Sequence, residues 1–293
     1  MLHRHRVALS LISSSAQPIN RIVLTKYLFL IAKEGGLGAG TSFYEFLPYK
    51  YGAYSFSMAR DLLTLERYGY ITGDENSVWL RPGMEDTVKA AVDKTPNLLR
   101  AVVASVVSKY QQMSQAELLR FAYEKYPEFT FRSKLRELVP PEGIEPAPAP
   151  IGIYTLGYEG RSVDGFFDIL LQNGVRKIVD VRANPVSRKY GFAGSTLSRI
   201  AGKLRIGYLH LPELGISSRD RKGLDTTVSR RDLLDDYEDR TLPNRLDAKK
   251  AAMAAIQSEP SALVCMEENP KDCHRGRLAK ALSSESGLPV IHF

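Results

Sequence analysis

Cysteine is scarce: the 293 residues include two, Cys265 and Cys273. A disulfide scaffold and a four-cysteine zinc site are thereby excluded. Long apolar runs are missing too. No segment approaches the ~20 apolar residues of a membrane-spanning helix, and the greasiest early run, residues 22–32, carries Lys26 in its middle. The start of the chain (His3, Arg4, His5, Arg6, then residues 7–12) imitates a secretory signal, but Ser10 breaks its apolar core. That core is shorter than the ~7–15 residues a signal needs. The expectation is a cytoplasmic protein with reduced thiols and no membrane partner. There is no internal repeat. With 44% hydrophobic and 25% charged residues, collagen-like, low-complexity and wholly disordered classes are excluded.

The length suits two domains, and the boundary is legible. Residues 139–150 hold five prolines, which cannot continue a helix or a central strand. Residues 1–138 read as mainly helical. Asn20 is placed to cap a helix that ends at Gly35-Gly36, and Ser55 or Ser57 a second, with Leu62, Leu63, Leu65 and Tyr68 as its apolar face. Two short strands around Gly73-Asp-Glu-Asn76 come next, then helices at about 84–110 and 114–125. Helix, turn, helix and hairpin is the order of a winged helix. Residues 151–293 alternate strand and helix, with strands at about 151–156, 177–181, 206–211, 262–265 and 289–292. The expected class is α/β, a doubly wound and mostly parallel sheet. Its ligand would sit beyond the carboxyl ends of the strands.

Both cysteines fall in Leu263-Val-Cys-Met-Glu-Glu-Asn-Pro-Lys-Asp-Cys-His-Arg275. With Asp272 as N-cap, Cys273 and His274 would occupy a first helical turn. There the free N–H groups and Arg275 favour a thiolate or a bound anion. Against this stands a buried Cys265 and an incidental Cys273. Zinc is a third reading, with Cys265, Cys273 and His274 as ligands and His210 or His292 as a fourth; the spacing matches no standard finger, and no metal is assigned. In Asp180-Val-Arg182, acid and arginine share one strand face. Arg182, Arg188 and Lys189 suit a phosphate, or Asp180 and Arg182 form an ion pair bracing a loop. Tyr158 and Glu159, in Gly157-Tyr-Glu-Gly160, either stack on and hydrogen-bond a base or serve as turn residues. The tyrosines at 44, 49, 51 and 54, with Lys50, Arg60 and Arg67, either contact a sugar–phosphate backbone or fill a core.

The net charge is +7 and the pI about 9.3. Residues 180–231 hold eleven Lys and Arg against four Asp and Glu, a surplus that equals the whole net charge. Residues 1–150 have 18 basic against 15 acidic residues, too even for a strongly basic DNA module.

Tyr154-Thr-Leu-Gly-Tyr-Glu-Gly160, Val179-Asp-Val-Arg-Ala-Asn-Pro-Val-Ser-Arg188, Tyr208-Leu-His-Leu-Pro-Glu-Leu-Gly215 and the Cys265-Met-Glu…Cys273-His-Arg275 run resemble, in the same order, the bacterial family called domain of unknown function 488. The resemblance implies an α/β fold and a site around the Cys-His-Arg helix start, and it supplies no reaction. Lys50-Tyr-Gly-Ala-Tyr-Ser55 resembles a winged-helix-like module fused to some members. The resulting expectation is an enzyme acting on nucleic acid, DNA more than RNA, or on nucleotides, by base modification, base removal or repair. Cys273 would be nucleophile or redox centre, His274 or Glu267 the general acid/base, and Asp180 would orient an arginine or the substrate. Arg182, Arg188, Arg275, Tyr158, Glu159 and His210 would bind substrate and phosphate; no cofactor is specified. The alternative is a non-enzymatic DNA-binding or regulatory protein whose α/β domain senses an anionic ligand.

Overall fold

A computed structural model describes residues 1–37, 43–217 and 227–293. Two compact units result, 1–145 and 146–293. The proline-rich stretch is shared between them. Arg132 pairs with Glu145 in the first unit at 2.8 Å, while Ala149 N–H donates to the Gly174 carbonyl in the second. Among the described residues, no helix is long and apolar enough to cross a membrane.

The first unit runs α1 (His3–Ser13), β1 (Ile19–Asn20), α2 (Arg21–Glu34), β2 (Leu47–Tyr49), β3 (Gly52–Tyr54), α3 (Phe56–Arg67), β4 (Ile71–Gly73), β5 (Ser77–Leu80), α4 (Glu85–Val92), α5 (Asn97–Tyr110) and α6 (Gln115–Lys125). The expected caps are present: Asn20 Oδ1 accepts from Ile22 N–H at 2.8 Å, and Ser55 Oγ from Met58 N–H at 3.1 Å. The segment that imitates a signal is α1, and it buries Val7, Leu9, Leu11 and Ile12 in the core. Leu62 and Leu65 lie on the buried face of α3 as expected, joined by Phe56 and Met58, whereas Leu63 and Tyr68, assigned to the same face, are 64% and 67% exposed. Strands β1, β5 and β4 make an antiparallel sheet, and β2–β3 a separate hairpin. The tyrosines of the aromatic segment divide: Tyr51 is 41% exposed, and the others pack on the protein. Tyr44 is buried, and Phe56 meets the Tyr49 ring at a tilt and the Tyr54 ring edge-on.

Buried Lys26 ties that hairpin to α2. Its Nζ donates to the carbonyls of Tyr51 (2.5 Å) and Ala53 (3.2 Å), under the ring of Tyr123. Gly52, at φ +76°, is the turn residue between them, where an L side chain would be strained and would meet the Tyr123 ring.

The second unit runs β6 (Ile153–Gly157), α7 (Val163–Gln172), β7 (Lys177–Asp180), α8 (Gly194–Lys203), β8 (Gly207–His210), α9 (Thr227–Asp236), α10 (Leu246–Ser258), β9 (Ser261–Cys265), α11 (His274–Ser286) and β10 (Val290–His292). All five strands are parallel, in the order β10-β6-β9-β7-β8. Helix α8 lacks a counterpart in the sequence reading, and the charged stretch between β8 and β9 forms two helices, α9 and α10, separated by a turn around Pro243. Central strands β6 and β9 are buried throughout, as a sheet covered on both faces requires. Ile153, Val179, Leu263 and Cys265 share a core with Ala252 and Ile256 of α10 and Leu278 and Leu282 of α11. Right-handed crossovers put α7 and α8 on the other face. The connections of adjacent β6 and β9 therefore leave in opposite directions, which opens a crevice at their carboxyl ends.

Burial lowers the Lys26 pKa from 10.5 to about 7. Between those values the unfolded chain binds the extra proton, so stability rises with pH across that window. Thermal unfolding at a series of pH values is expected to show this rise in the wild-type chain and a flatter profile in Lys26→Met.

Candidate functional site

The crevice is shaped by the loop after β9. A Cβ on Gly157 would lie 1.9 Å from the Glu267 carbonyl oxygen, so only glycine lets the loop cross β6 here. Arg275, fully buried at the start of α11, donates to that same carbonyl and to the Glu268 carbonyl at 2.7 Å. Glu159 caps the loop from the other side, accepting from Glu268 N–H at 3.1 Å. Arg275 and Glu159, expected to contact substrate, are thus engaged in holding the loop.

Cys273, not Asp272, is the N-cap of α11: Asp272 closes a preceding 3-10 turn, and the helix starts at His274. The pinned loop brings Cys265, Glu267, Cys273 and His274 together, with one ligand atom from each all within 4.8 Å of one another. Cys265 Sγ donates to Glu267 Oε2 at 3.2 Å and lies 3.7 Å from His274 Nδ1. The Val181 carbonyl can only accept, so His274 Nε2, 3.0 Å away, carries a proton, and Nδ1 is directed toward the thiols. The Tyr237 ring packs edge-on against His274. The thiols are free, not a disulfide.

The expectation of a readily ionised Cys273 is reversed. Burial, reinforced by the neighbouring Cys265, pushes its thiol well above the usual range and outweighs His274, which acts the other way. Burial also raises the Glu267 pKa, but hydrogen bonds from Cys273, its own backbone and Cys265 prevail and hold it below the usual carboxylate range.

A second buried cluster lies on the other face. Asp180 takes both arms of Arg182 (Nε to Oδ1 2.8 Å, Nη2 to Oδ2 2.6 Å), and Tyr208 OH donates to Oδ2 at 2.7 Å. The remaining Arg182 nitrogen donates to the Phe192 carbonyl at 2.7 Å and reaches Tyr158 OH at 3.4 Å. Tyr158 stacks on Phe192, with centroids 4.3 Å apart. Arg182 is 4% exposed and Asp180 fully buried. The Arg182 phosphate role and the Tyr158 base-stacking role are therefore corrected, because these groups satisfy one another and the loop-bracing alternative holds. Burial and the charge of Asp180 raise the Tyr208 pKa.

His210 joins neither cluster; its Nε2 bonds the Arg182 carbonyl at 2.8 Å. His292 bonds Thr155 Oγ1 at 2.7 Å on edge strand β10. Neither is the fourth member of the cysteine group; Glu267 is. Arg188 is exposed in the loop after β7. Beside the start of α11, a cavity of about 500 Å³ is lined by Arg230, Arg231, Leu234, Asn269, Lys271, Asp272 and Arg277. Of these, Arg277 is paired with Asp235 and Glu238. Sequence reasoning missed this cavity and Tyr208. Period-2 alternation from His210 would have put Tyr208 on the same strand face, whereas nothing in the charged 230–257 stretch marks the cavity. Arg219, Arg221 and Lys222, part of the charge surplus, lie outside the described residues.

Fold and site together define a parallel α/β domain with a buried thiol–imidazole–carboxylate cluster at a topological switch point. Residues 162–282 match the family model described as "Domain of unknown function DUF488", from the cap of α7 to Leu282 in α11, both cysteines included. The first unit and β6 lie outside that match. No curated protein and no solved structure matches the chain.

Removing one partner of a buried ion pair typically costs about 3–5 kcal/mol. Arg182→Met, which strands Asp180 without its cation, is expected to lose that much in urea unfolding.

Proposed function

We propose that the chain is an enzyme acting on nucleic acid or nucleotide, by base modification, base removal or repair. The observation that carries this reading is the cavity lined by Arg230, Arg231, Lys271 and Arg277. It suits an anionic ligand, and its Asn269–Asp272 wall leads directly to Cys273 and His274. Phosphate in this cavity is held beside the Cys265–Glu267–Cys273–His274 cluster, which serves as the reaction centre. Two free thiols within reach of each other suit a cytoplasmic, reducing compartment.

The first unit supplies DNA docking in this reading. Its order α1-β1-α2, then, after the β2–β3 hairpin, α3-β4-β5, with β1, β5 and β4 in one sheet, supports a winged-helix reading. Helix α3 is the recognition helix, its outer edge carrying Arg60, Leu63 and Arg67, and the 74–76 turn is the wing. Its modest charge suits docking with the chemistry elsewhere.

A second reading, a non-enzymatic DNA-binding protein whose α/β unit senses an anion, is favoured by the burial of Cys273 and His274, each 1% exposed. The readings separate on incubation with single- and double-stranded DNA and RNA, followed by mass spectrometry. A mass change lost in Cys273→Ala is expected; unchanged activity in that variant would remove the cluster from the reaction. No turnover on any substrate, with anion-dependent DNA affinity, would establish the sensor.

A charge-assisted contact contributes about 1.5–3 kcal/mol. Replacing any one of Arg230, Arg231 and Lys271 by alanine is therefore expected to weaken nucleotide binding roughly tenfold or more, and the triple variant further. Wild-type affinity for nucleic acid should fall with salt at a slope near −0.9 per duplex phosphate contacted; a flat salt dependence would reject the polyanion.

A further inference from the structure

We infer that Cys265, Cys273, His274 and Glu267 form a zinc site, closed on its protein side by the first three and carrying Glu267 as the exchangeable ligand toward solvent. The four side chains supply the sulfur, nitrogen and oxygen donors that zinc takes, each with one donor atom within 4.8 Å of the others. Zinc binds sulfur at about 2.3 Å and imidazole or carboxylate at about 2.0–2.2 Å, so a tetrahedron of such bonds has edges of roughly 3.3–3.8 Å. The Cys265 Sγ to Glu267 Oε2 and Cys265 Sγ to His274 Nδ1 separations, 3.2 and 3.7 Å, already lie close to such edges.

The surroundings are those of a ligand set. A metal-bound histidine typically donates its other ring N–H to a backbone carbonyl or a carboxylate, which fixes the tautomer. His274 does so to Val181, and its Nδ1 then faces the cysteines. Glu267 is held by its backbone, through Arg275 on its carbonyl and the close passage over Gly157, and its carboxylate already accepts from Cys265 Sγ. Cys265 and Cys273 belong to the hydrophobic core, and Tyr237 walls the site beside His274. In the absence of an ion, two thiols face each other there with only weak sulfur hydrogen bonds.

Exposure sets the direction of approach. Cys265, Cys273 and His274 are 0%, 1% and 1% exposed, and Glu267 alone is partly open. Release of the Glu267 carboxylate frees the fourth position, as a catalytic zinc requires. That catalytic use rests on the reading of the cluster as a reaction centre; the binding of zinc does not. Each cysteine binds as a thiolate and gives its proton to solvent, so uptake of Zn²⁺ releases protons without any oxidant or reductant.

The test uses the full chain and no substrate, so its failure is distinct from failure of the nucleic-acid reading. Protein purified from zinc-supplemented medium is assayed by elemental analysis, and chelated protein is reloaded with Zn²⁺ or Co²⁺. One equivalent of metal per chain is expected, with tetrahedral Co²⁺ absorption in the visible and thiolate charge transfer in the near ultraviolet. Both thiols should resist a thiol reagent in the loaded protein and react once the metal is removed. Cys265→Ser and Cys273→Ser should lose the thiolate absorption and most of the metal. Glu267→Gln, which perturbs packing least, should keep the bound metal and change the Co²⁺ spectrum. A wild-type chain that takes up neither ion, or metal undiminished in both serine variants, would overturn the proposal. So would a Cys265–Cys273 disulfide in place of metal.

Discussion

The loop after β9 crosses β6 at a distance that only a glycine permits, and a buried guanidinium holds it there. Gly157 provides the room, and Arg275 binds the Glu267 and Glu268 carbonyls that pass over it. The rest of the site depends on this constraint. Glu267 and Cys273 lie on a loop, and loops are ordinarily the mobile part of an α/β domain. Here one end leaves a central strand and the other enters α11, with the middle clamped to the neighbouring strand. An unpaired buried carbonyl costs about 1–3 kcal/mol, so the Arg275 bonds also satisfy groups that the crossing would otherwise leave without water.

The end of β7 is gripped from two sides. The Val181 carbonyl takes the His274 ring from one face, and the Arg182 carbonyl takes His210. On the opposite face from the cysteines, Asp180, Arg182, Tyr208 and Tyr158 form a network in which each guanidinium nitrogen of Arg182 and the Tyr208 hydroxyl has an acceptor. Such a network rigidifies what it bonds. The two clusters are thus different devices on one sheet edge. One holds the strand ends in place, and the other gathers two thiols, an imidazole and a carboxylate. Arg182 and Arg275, first suggested to hold phosphate, are turned inward, whereas Arg230, Arg231 and Lys271 line a cavity.

Much of the fold was legible. Asn20 and Ser55 announced two helices by the side-chain acceptors they offer, and the five apolar runs of the second half became the five parallel strands. Helix α1 was obscured because its apolar core copies the start of a secretory signal, and α8 because Gly194, Gly202 and its hydroxyl residues depress helix propensity. Leu63 and Tyr68 went to the wrong face of α3, since an apolar residue can lie outside a helical stripe and remain on the surface.

The site divides in the same way. The sequence by itself determined that both cysteines belong to one strand–loop–helix, and that an acid and an arginine share a face at the end of a strand. Those facts depend on neighbours in the chain and on the periods of helix and strand. Only the tertiary structure decided that Glu267, rather than His210 or His292, completes the cysteine group. It alone turned Arg182 and Arg275 inward and buried Cys273 deeply enough to oppose its ionisation. Burial and hydrogen-bond partners are set by residues distant in the chain: Val181 for His274, Gly157 for Glu267, Phe192 for Arg182. No local pattern encodes those meetings, because they follow from the order in which the strands pair.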